Sequence, residues 1–170
     1  EANLRSGYES YFIFRNNDTN VNAQTVMGFT SLIADFPNVA FSAYTGDFQG
    51  VGNDVGDTNL SFILKTASAP NGVLASYTKI PLGSSFPAHT TSDVYMLKIE
   101  APQTEVRANQ FIKMTITNLI NGATATHTFD SSLCPFLTAN ICLKMQRSAR
   151  NSGIATNIGL FKFYFKHNLY

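Results

Sequence analysis

Residues 111–129 read FIKMTITNLINGATATHTF, in which two runs of alternating side chains flank the dipeptide Asn121-Gly122. Alternation with a period of two is typical of a half-buried strand, and Asn-Gly favours a two-residue type I′ turn because both residues tolerate positive φ. The resulting register pairs Thr117 with Thr126, Thr115 with Thr128, and Lys113 with Asp130. One face of this hairpin then carries threonines, and the other carries the core candidates Ile112, Met114, Ile116 and Phe129.

The same period-two pattern recurs along the rest of the chain in short runs separated by turn residues. It predicts strands at 8–15, 25–33, 39–44, 60–66, 73–79, 93–100, 111–119, 123–129, 141–146 and 159–167. About ten short strands without convincing helices are typical of an all-β protein. We therefore expect one domain over residues 1–170, a two-sheet antiparallel sandwich of jelly-roll-like type.

The composition agrees with a folded β protein. Charged residues make up 14% of the chain and hydrophobic residues 44%, a balance that excludes intrinsic disorder. No apolar run is long enough for a membrane span. Residue 1 is Glu rather than Met, which indicates either a removed leader or a piece excised from a longer protein.

The C-terminal run places three phenylalanines on one face. Phe161, Phe163 and Phe165 alternate with Lys162, Tyr164 and Lys166. Three aromatic side chains on one face of a strand favour burial. We therefore expect a core strand at the C-terminal end, matched by an equally apolar strand at 8–14.

Residues 45–59 are rich in Gly, Asp and Asn, which predicts a long exposed loop and a candidate binding site. Its candidate residues are Asp47, Asn53, Asp54, Asp57 and Asn59. Oxygen ligands on a flexible backbone suit Ca²⁺, but the spacing does not match an EF-hand loop and no acidic residue closes it. We therefore predict a binding loop without a metal.

Charge is distributed unevenly along the chain. Residues 1–60 hold two basic and seven acidic side chains, whereas residues 131–170 hold five basic side chains and no acidic one. One interpretation is a basic patch formed by Lys144, Arg147 and Arg150. The favoured interpretation is that the two ends pair within one sheet or with a neighbouring copy. Five basic groups, without a long basic arm, do not favour nucleic acid as a partner.

Candidate catalytic groups are few, and no motif joins them. His127 falls on the core side of the 111–129 hairpin, where we expect a half-buried structural histidine, and nothing in the sequence brings it together with His89 or His167. No nucleophile elbow or phosphate-binding loop is present. Cys134 and Cys142 either close a small disulfide loop or remain free thiols. The sequence predicts no enzyme and no cofactor.

The pattern of short strands, Asn-, Thr- and Gly-rich loops and an apolar C-terminal strand resembles viral spike and capsid modules in general appearance. The likeness is one of fold alone and identifies no family. We expect a non-catalytic module of a surface or particle-building protein, such as a virion spike, capsid or fibre head, because a sandwich of about ten strands commonly protects its edges by closure or by a subunit contact. We expect a virion or extracellular location, homo-oligomer assembly, and a protein or glycan receptor. The alternative is a secreted or cell-surface adhesion or glycan-binding domain. Tyr44, Tyr77 and Tyr95 are its candidate platforms, although the favoured interpretation of each is a structural strand aromatic.

Overall fold

The fold was determined as a computed structural model that describes residues 2–3, 7–31, 40–67, 75–134, 140–149 and 156–167. These residues form eleven strands and two short 3₁₀ turns, at Phe41–Ala43 and Arg107–Asn109. The strands are β1 (Ala2–Asn3), β2 (Tyr8–Asn16), β3 (Ala23–Thr30), β4 (Phe48–Asn53), β5 (Ser61–Thr66), β6 (Ser76–Pro81), β7 (Tyr95–Ala101), β8 (Ile112–Asn118), β9 (Thr124–Phe129), β10 (Asn140–Ala149) and β11 (Ile158–His167).

The strands form two antiparallel sheets packed face to face, which confirms the predicted all-β sandwich. One sheet has six strands in the order β1-β10-β3-β4-β5-β6, and the other has five in the order β11-β2-β7-β8-β9. The consecutive strands β2 and β3 lie in opposite sheets and pair with β11 and β10. The two ends of the chain therefore wrap around two inner meanders, which gives the sandwich its jelly-roll character.

The core lies between the sheets and follows from the period-two pattern. Along β7 and β8 every second side chain is buried, and the side chains between them are half-exposed. The strands β3 and β4 are instead buried at every position. Both faces of these two strands are covered, because a second cluster of Val26, Phe41, Tyr44, Phe48 and Ile63 packs on the outer side of their sheet.

The 111–129 hairpin forms with the predicted faces but with a different turn. Asn118 N donates to Ala123 O at 2.9 Å, and Gly122 N donates to Asn118 O at 2.9 Å. The loop thus has four residues, and the predicted two-residue type I′ turn is wrong. The register moves by two residues, so Thr115 pairs with Thr126 and Thr117 with Thr124. A shift of two keeps each side chain on its face, which is why the threonine ladder survives.

The expected exposed loop at 45–59 is wrong over much of its length, because Phe48–Asn53 forms the buried strand β4. Its glycines permit close packing instead of forming a loop. A Cβ atom on Gly50 would lie 2.1 Å from the carbonyl oxygen of Met27, and one on Gly52 would lie 2.6 Å from the Phe41 ring. Only glycine fits at these positions, so two of the six residues of β4 carry no side chain and the strand pattern in the sequence is interrupted.

The strand expected at 39–44 is wrong as well. Residues 41–43 form a 3₁₀ turn, and residue 39 lies outside the described residues. Phe41 and Tyr44 are buried on the outer face of the six-stranded sheet. These side chains read as strand residues in the sequence because they are apolar and buried, although the backbone there is not a strand.

The C-terminal strand β11 is an edge strand, which corrects the expected core strand. Among the described strands it pairs with β2 alone, and the register shifts between Leu160 and Lys162. Phe163 is 39% exposed and Phe161, which lies at this bulge, is 57% exposed. Phe165 is half-buried against the core, and the ring of Phe163 lies 5.1 Å from the buried ring of Phe12. Three phenylalanines in alternation therefore do not share one buried face here.

No helix within the described residues is long and apolar enough to cross a membrane.

Both cysteines are free thiols: Cys134 is buried and Cys142 is half-buried. The sequence left open a Cys134–Cys142 disulfide or two free thiols, and the structure has two free thiols. The Cys134 Sγ lies 3.6 Å from the carbonyl oxygen of Phe129 and donates a weak hydrogen bond to it.

Candidate binding face

The two sheets differ on their outer sides. The outer side of the six-stranded sheet is covered by the cluster around Phe41 and Tyr44. The outer side of the five-stranded sheet carries side chains that are half-exposed or exposed along β2, β7, β8, β9 and β11. We call this outer side the open face. It is the larger uncovered sheet surface of the described residues, and it is the candidate functional site.

Strand register arranges the open face in three rows that cross all five strands. The tyrosine row is Tyr164, Tyr11, Lys98, Thr115 and Thr126. The methionine row is Lys162, Ile13, Met96, Thr117 and Thr124. The charged row is Lys166, Glu9, Glu100, Lys113 and Thr128. At about 4.8 Å between strands, each row is about 19 Å long.

A depression of about 240 Å³ lies where the tyrosine and methionine rows meet β11. It is lined by Tyr11, Ile13, Met96, Lys162 and Tyr164. The rings of Tyr11 and Tyr164 are 6.0 Å apart between centroids and tilted by 52°. This hollow offers two aromatic rings, an aliphatic floor and one amine to a ligand.

Tyr11 is held in place by a charged network. Its hydroxyl donates to Glu9 Oε1 at 2.5 Å, and Lys98 Nζ lies 5.3 Å from its ring centroid. Lys98 also bridges Glu9 at 2.9 Å and Glu100 at 2.8 Å. The hydrogen bond to Glu100, together with that to Glu9, raises the pKa of Lys98. The hydrogen bond from Tyr11 and that from Lys98 lower the pKa of Glu9. Tyr11 is thus pre-oriented, which reduces the entropy lost when a ligand binds.

The threonine end of the open face is a ladder of paired hydroxyls. Thr115 and Thr126 are joined by a hydrogen bond of 3.0 Å, and Thr117 and Thr124 by one of 3.1 Å. Each pair uses one O–H as donor, so one donor and several lone pairs remain for a ligand. The ladder therefore presents neutral polar groups beside the charged and aromatic ones.

A second feature adjoins the open face along its β11 side. Five apolar or aromatic side chains near this edge are more than a third exposed: Leu143, Met145, Phe161, Phe163 and Tyr164. Leu143 and Met145 pair with the core residues Phe29 and Met27, so they point into the sandwich at its open side. We call these five residues the apolar edge. Exposed apolar clusters of this kind mark interaction surfaces.

The residues expected to form a binding loop are mostly structural. Asn53 is buried, and its side chain bonds to Thr25 N at 3.0 Å and Ala23 O at 2.8 Å. Asp47 Oδ1 accepts from Ala67 N at 2.7 Å, and burial raises the pKa of Asp47. These two side chains hold neighbouring strands and turns together, so the expectation that they are exposed binding groups is wrong.

Asp54 and Asp57 are neutralised within the chain. Lys79 Nζ lies 3.1 Å from Asp54 and 2.5 Å from Asp57. Burial opposes the charged amine, but the hydrogen bonds to Asp57 and Asp54 outweigh it and raise the pKa of Lys79. Asn59 is half-buried, and its amide donates to Thr58 Oγ1 at 3.3 Å. Asp57 and Asn59 line a separate depression of about 230 Å³, on the side of the sandwich away from the open face's tyrosine pair.

The expected basic patch does not form as a surface. Arg147 has a side chain with 0% exposure, and its Nε and Nη2 atoms donate to the Asp18 carboxylate at 2.8 and 2.7 Å. Lys144 is buried as well, and Arg150 lies outside the described residues. An arginine with this many internal partners is a structural group. The pairing of Arg147 with Asp18 agrees with the favoured interpretation, in which the acidic and basic ends of the chain meet.

The three histidines lie in three different environments and do not form a common site. His127 is half-buried and contacts Phe129 edge-on, with centroids 4.6 Å apart, as expected for a structural histidine. His89 Nε2 lies 2.8 Å from Asp57 O, and burial lowers the pKa of His89. His167 stacks on Phe165. Among the described ranges, no three His, Cys, Asp or Glu side chains are grouped as metal ligands.

Tyr44, Tyr77 and Tyr95 form no exposed platform, which agrees with the favoured interpretation that they are structural aromatics. Tyr44 and Tyr95 are buried and Tyr77 is half-buried against the covered face. The tyrosine pair on the open face is Tyr164, which is exposed, and Tyr11, which is half-buried. Their alternation with buried residues was visible in the sequence, but the pairing of β2 with β11 was not, because strands so far apart in the chain leave no local signal of their register.

No protein-family model matches the chain, and no curated protein sequence does so either. The structure is similar to the crystal structure of a protein of unknown function from Shewanella oneidensis MR-1, with a TM-score of 0.60 and 18% sequence identity. The similarity covers 97% of this chain and 59% of the Shewanella chain. This chain thus spans less than two thirds of that protein. At such low identity the similarity supports the sandwich fold and nothing about activity.

Proposed function

We propose that this chain is a non-catalytic module of a surface or particle-building protein, of the virion spike, capsid or fibre-head type, in a virion or extracellular setting. It acts by assembling with further copies of itself and by binding a protein or glycan receptor. The observation that supports assembly is the apolar edge. Phe161, at 57% exposure, and Tyr164, at 46%, lie on a strand that has one partner among the strands the structure describes.

The apolar edge suits association because β11 offers both backbone and side-chain contacts. An edge strand presents unpaired N–H and C=O groups to another chain. Natural proteins limit such pairing with bulges and lysines, and β11 carries a bulge at Phe161 together with Lys162 and Lys166. These devices restrict the geometries in which a second copy docks, so the expected assembly is specific and not open-ended.

The assembly is tested by sedimentation velocity across a range of protein concentrations. The wild-type chain is expected to sediment as an oligomer, and Phe161→Ser is expected to shift it toward the monomer without changing the thermal midpoint. Ile120→Ser is the matched control, because Ile120 is equally apolar and 62% exposed but lies in the β8–β9 loop. A wild-type chain that remains monomeric at high concentration would contradict assembly through the apolar edge.

The alternative function, an adhesion or glycan-binding domain, is supported by a different observation. The open face combines the Tyr11–Tyr164 pair with paired threonine hydroxyls in one row. Aromatic rings supply rigid apolar surface for ring-shaped ligands, and hydroxyls supply adaptable hydrogen bonds. Both a receptor-binding module and a glycan-binding module can use such a face. The two functions differ in whether a second copy of the chain also occupies the apolar edge.

A further inference from the structure

We propose that the open face binds a carboxylated oligosaccharide, with one acidic sugar ring seated on Tyr11 and Tyr164 and its carboxylate beside Lys162. This inference rests on the glycan-binding alternative and names its ligand class. Three independent observations carry it: the shape of the depression, the distribution of charge on the open face, and the chemistry of the rows that lead away from the depression.

The depression on the open face has a shape that fits one sugar ring better than it fits an extended side chain or a flat protein surface. The two tyrosine rings are tilted by 52° to each other, so they form a shallow angle above Ile13 and Met96. A sugar ring has one apolar face of C–H groups, which packs against an aromatic ring while its hydroxyls point outward. The network of Glu9 and Lys98 fixes Tyr11 in this geometry before the ligand arrives.

The net positive charge of the open face favours an anionic ligand. Arg15, Lys98, Lys113, Lys162 and Lys166 stand against Glu9 and Glu100, a net charge of +3 on a chain whose total is +1. Lys98 is already paired with both glutamates. Lys162 lines the depression and has no ion pair within the described residues. The excess positive charge therefore lies on the β11 side, where the tyrosine pair is.

Beyond the depression, the side chains of the tyrosine and methionine rows are of types that can bind further sugar units. Beyond Tyr11 the tyrosine row runs through Lys98 to the hydrogen-bonded pair of Thr115 and Thr126. The methionine row runs through Met96 to Thr117 and Thr124. Each row thus passes from aromatic or aliphatic to hydroxyl groups over about 19 Å, long enough for several linked rings.

Single-stranded nucleic acid is the competing polyanion, since it also combines rings with negative charge. The open face is less suited to it. Binding to a phosphate backbone uses one basic group for each phosphate neutralised, and the charged row places Glu9 and Glu100 side by side in the path of such a backbone. A ligand with fewer charges and many hydroxyls matches this face better.

The test measures binding of a galacturonic acid tetramer by isothermal titration calorimetry at low salt. The fully methyl-esterified tetramer serves as the neutral matched ligand, and an oligothymidine tetramer as the nucleic-acid probe. We expect the acid tetramer to bind more tightly than its ester. Tyr164→Ala should weaken both sugars about tenfold. Lys162→Gln should weaken the acid form about three- to fivefold and leave the ester unchanged.

Lys65→Gln is the matched control, because Lys65 lies on the covered side, where its amine donates to Ser42 O. It should change neither affinity. Equal binding of acid and ester would overturn the acidic ligand, and tighter binding of oligothymidine than of either sugar would overturn the sugar. No binding of any probe overturns the inference altogether. The wild-type chain separates the two proposals: an oligomer that binds no sugar contradicts only this inference, and a monomer that binds the acid tetramer contradicts only the assembly. Lys162→Gln should weaken binding of the acid tetramer without changing the sedimenting mass, because Lys162 is not part of the apolar edge.

Discussion

Arg147 donates two parallel hydrogen bonds to the carboxylate of Asp18, although 129 residues separate them in the sequence. The guanidinium is fully buried and also donates to Thr25 Oγ1 at 2.6 Å. Asp18 Oδ2 in turn accepts from Asn157 N at 2.8 Å, on the approach to β11. One ion pair therefore ties together the segment after β2, the strand β3, the strand β10 and the segment before β11.

Removal of the Asp18 charge should destabilise the fold strongly. Asp18→Asn leaves the buried Arg147 guanidinium without its counter-charge, and breaking a buried pair in this way costs about 3–5 kcal/mol. Urea denaturation gives the measurement. The double variant Asp18→Asn with Arg147→Met should recover part of the loss, because no uncompensated charge remains. A double variant as unstable as the sum of the two single variants would contradict the pairing.

The same pair predicts acid sensitivity with a defined sign. Burial acts to raise the pKa of Asp18, but the hydrogen bonds from Arg147 and from Asn157 N outweigh it and lower this pKa to about 2. Since the folded pKa is depressed below the unfolded value, the stabilisation is present above about pH 4 and is lost as pH falls toward 2. It amounts to about 2 kcal/mol. The difference in unfolding free energy between wild type and Asp18→Asn should therefore shrink between pH 4 and pH 2.

The glycines of β4 provide a test of the close packing of β4 against β3, which the sequence did not predict. In Gly50→Ala the new methyl group would meet the carbonyl oxygen of Met27 at 2.1 Å, so the backbones of β3 and β4 must separate. Overpacking of this kind costs about 1–3 kcal/mol. Gly159→Ala is the control, since its nearest neighbour is the side chain of Asn17 at 3.1 Å, which can move. If both variants unfold at the wild-type midpoint, the close approach of β3 and β4 is refuted.

The β8–β9 loop predicts an effect at Gly122, which has φ +75° and open space where a Cβ atom would stand. Gly122→Val should destabilise by about 1–2 kcal/mol, because a β-branched residue is strained at positive φ. The cause is backbone strain alone. Gly122→Asn should therefore be much milder, since Asn tolerates this conformation. Equal losses in the two variants, measured by denaturant titration, would point to a different cause.

Phe12 and Phe163 form a matched pair for the position of β11. Their rings lie 5.1 Å apart, but Phe12 is fully buried whereas Phe163 is 39% exposed. Phe12→Ala should cost about 3–5 kcal/mol, and Phe163→Ala should cost clearly less because it leaves a smaller cavity. A loss for Phe163→Ala as large as that for Phe12→Ala would restore the core strand that the sequence pattern favours.

The sequence predicted the features that depend on local alternation. The faces of β8 and β9, including the threonine ladder and the buried Phe129, follow from period two alone. The all-β sandwich follows from repeating that pattern along the chain. The turn itself was misjudged because Asn121-Gly122 also fits a four-residue loop with Gly122 at positive φ, and a local motif does not distinguish the two.

The features that the sequence did not predict depend on distant neighbours. Gly50 and Gly52 read as loop residues because their packing partners, Met27 and Phe41, lie elsewhere in the chain. Arg147 reads as a surface group because arginine is rarely buried without a partner, and that partner is 129 residues away. The tyrosine pair of the candidate site likewise exists only once β11 lies beside β2.

The wrapping of β10 and β11 around β3 and β2 has a consequence for the order of folding. The meanders β3-β4-β5-β6 and β7-β8-β9 join neighbours in the chain, so they can form as soon as they leave the ribosome. Each sheet, however, is completed by a strand made more than a hundred residues later. Such a high contact order predicts slow folding. During synthesis the edges of β2 and β3 that later pair with β11 and β10 stay unpaired, which leaves the nascent chain open to association through these strands.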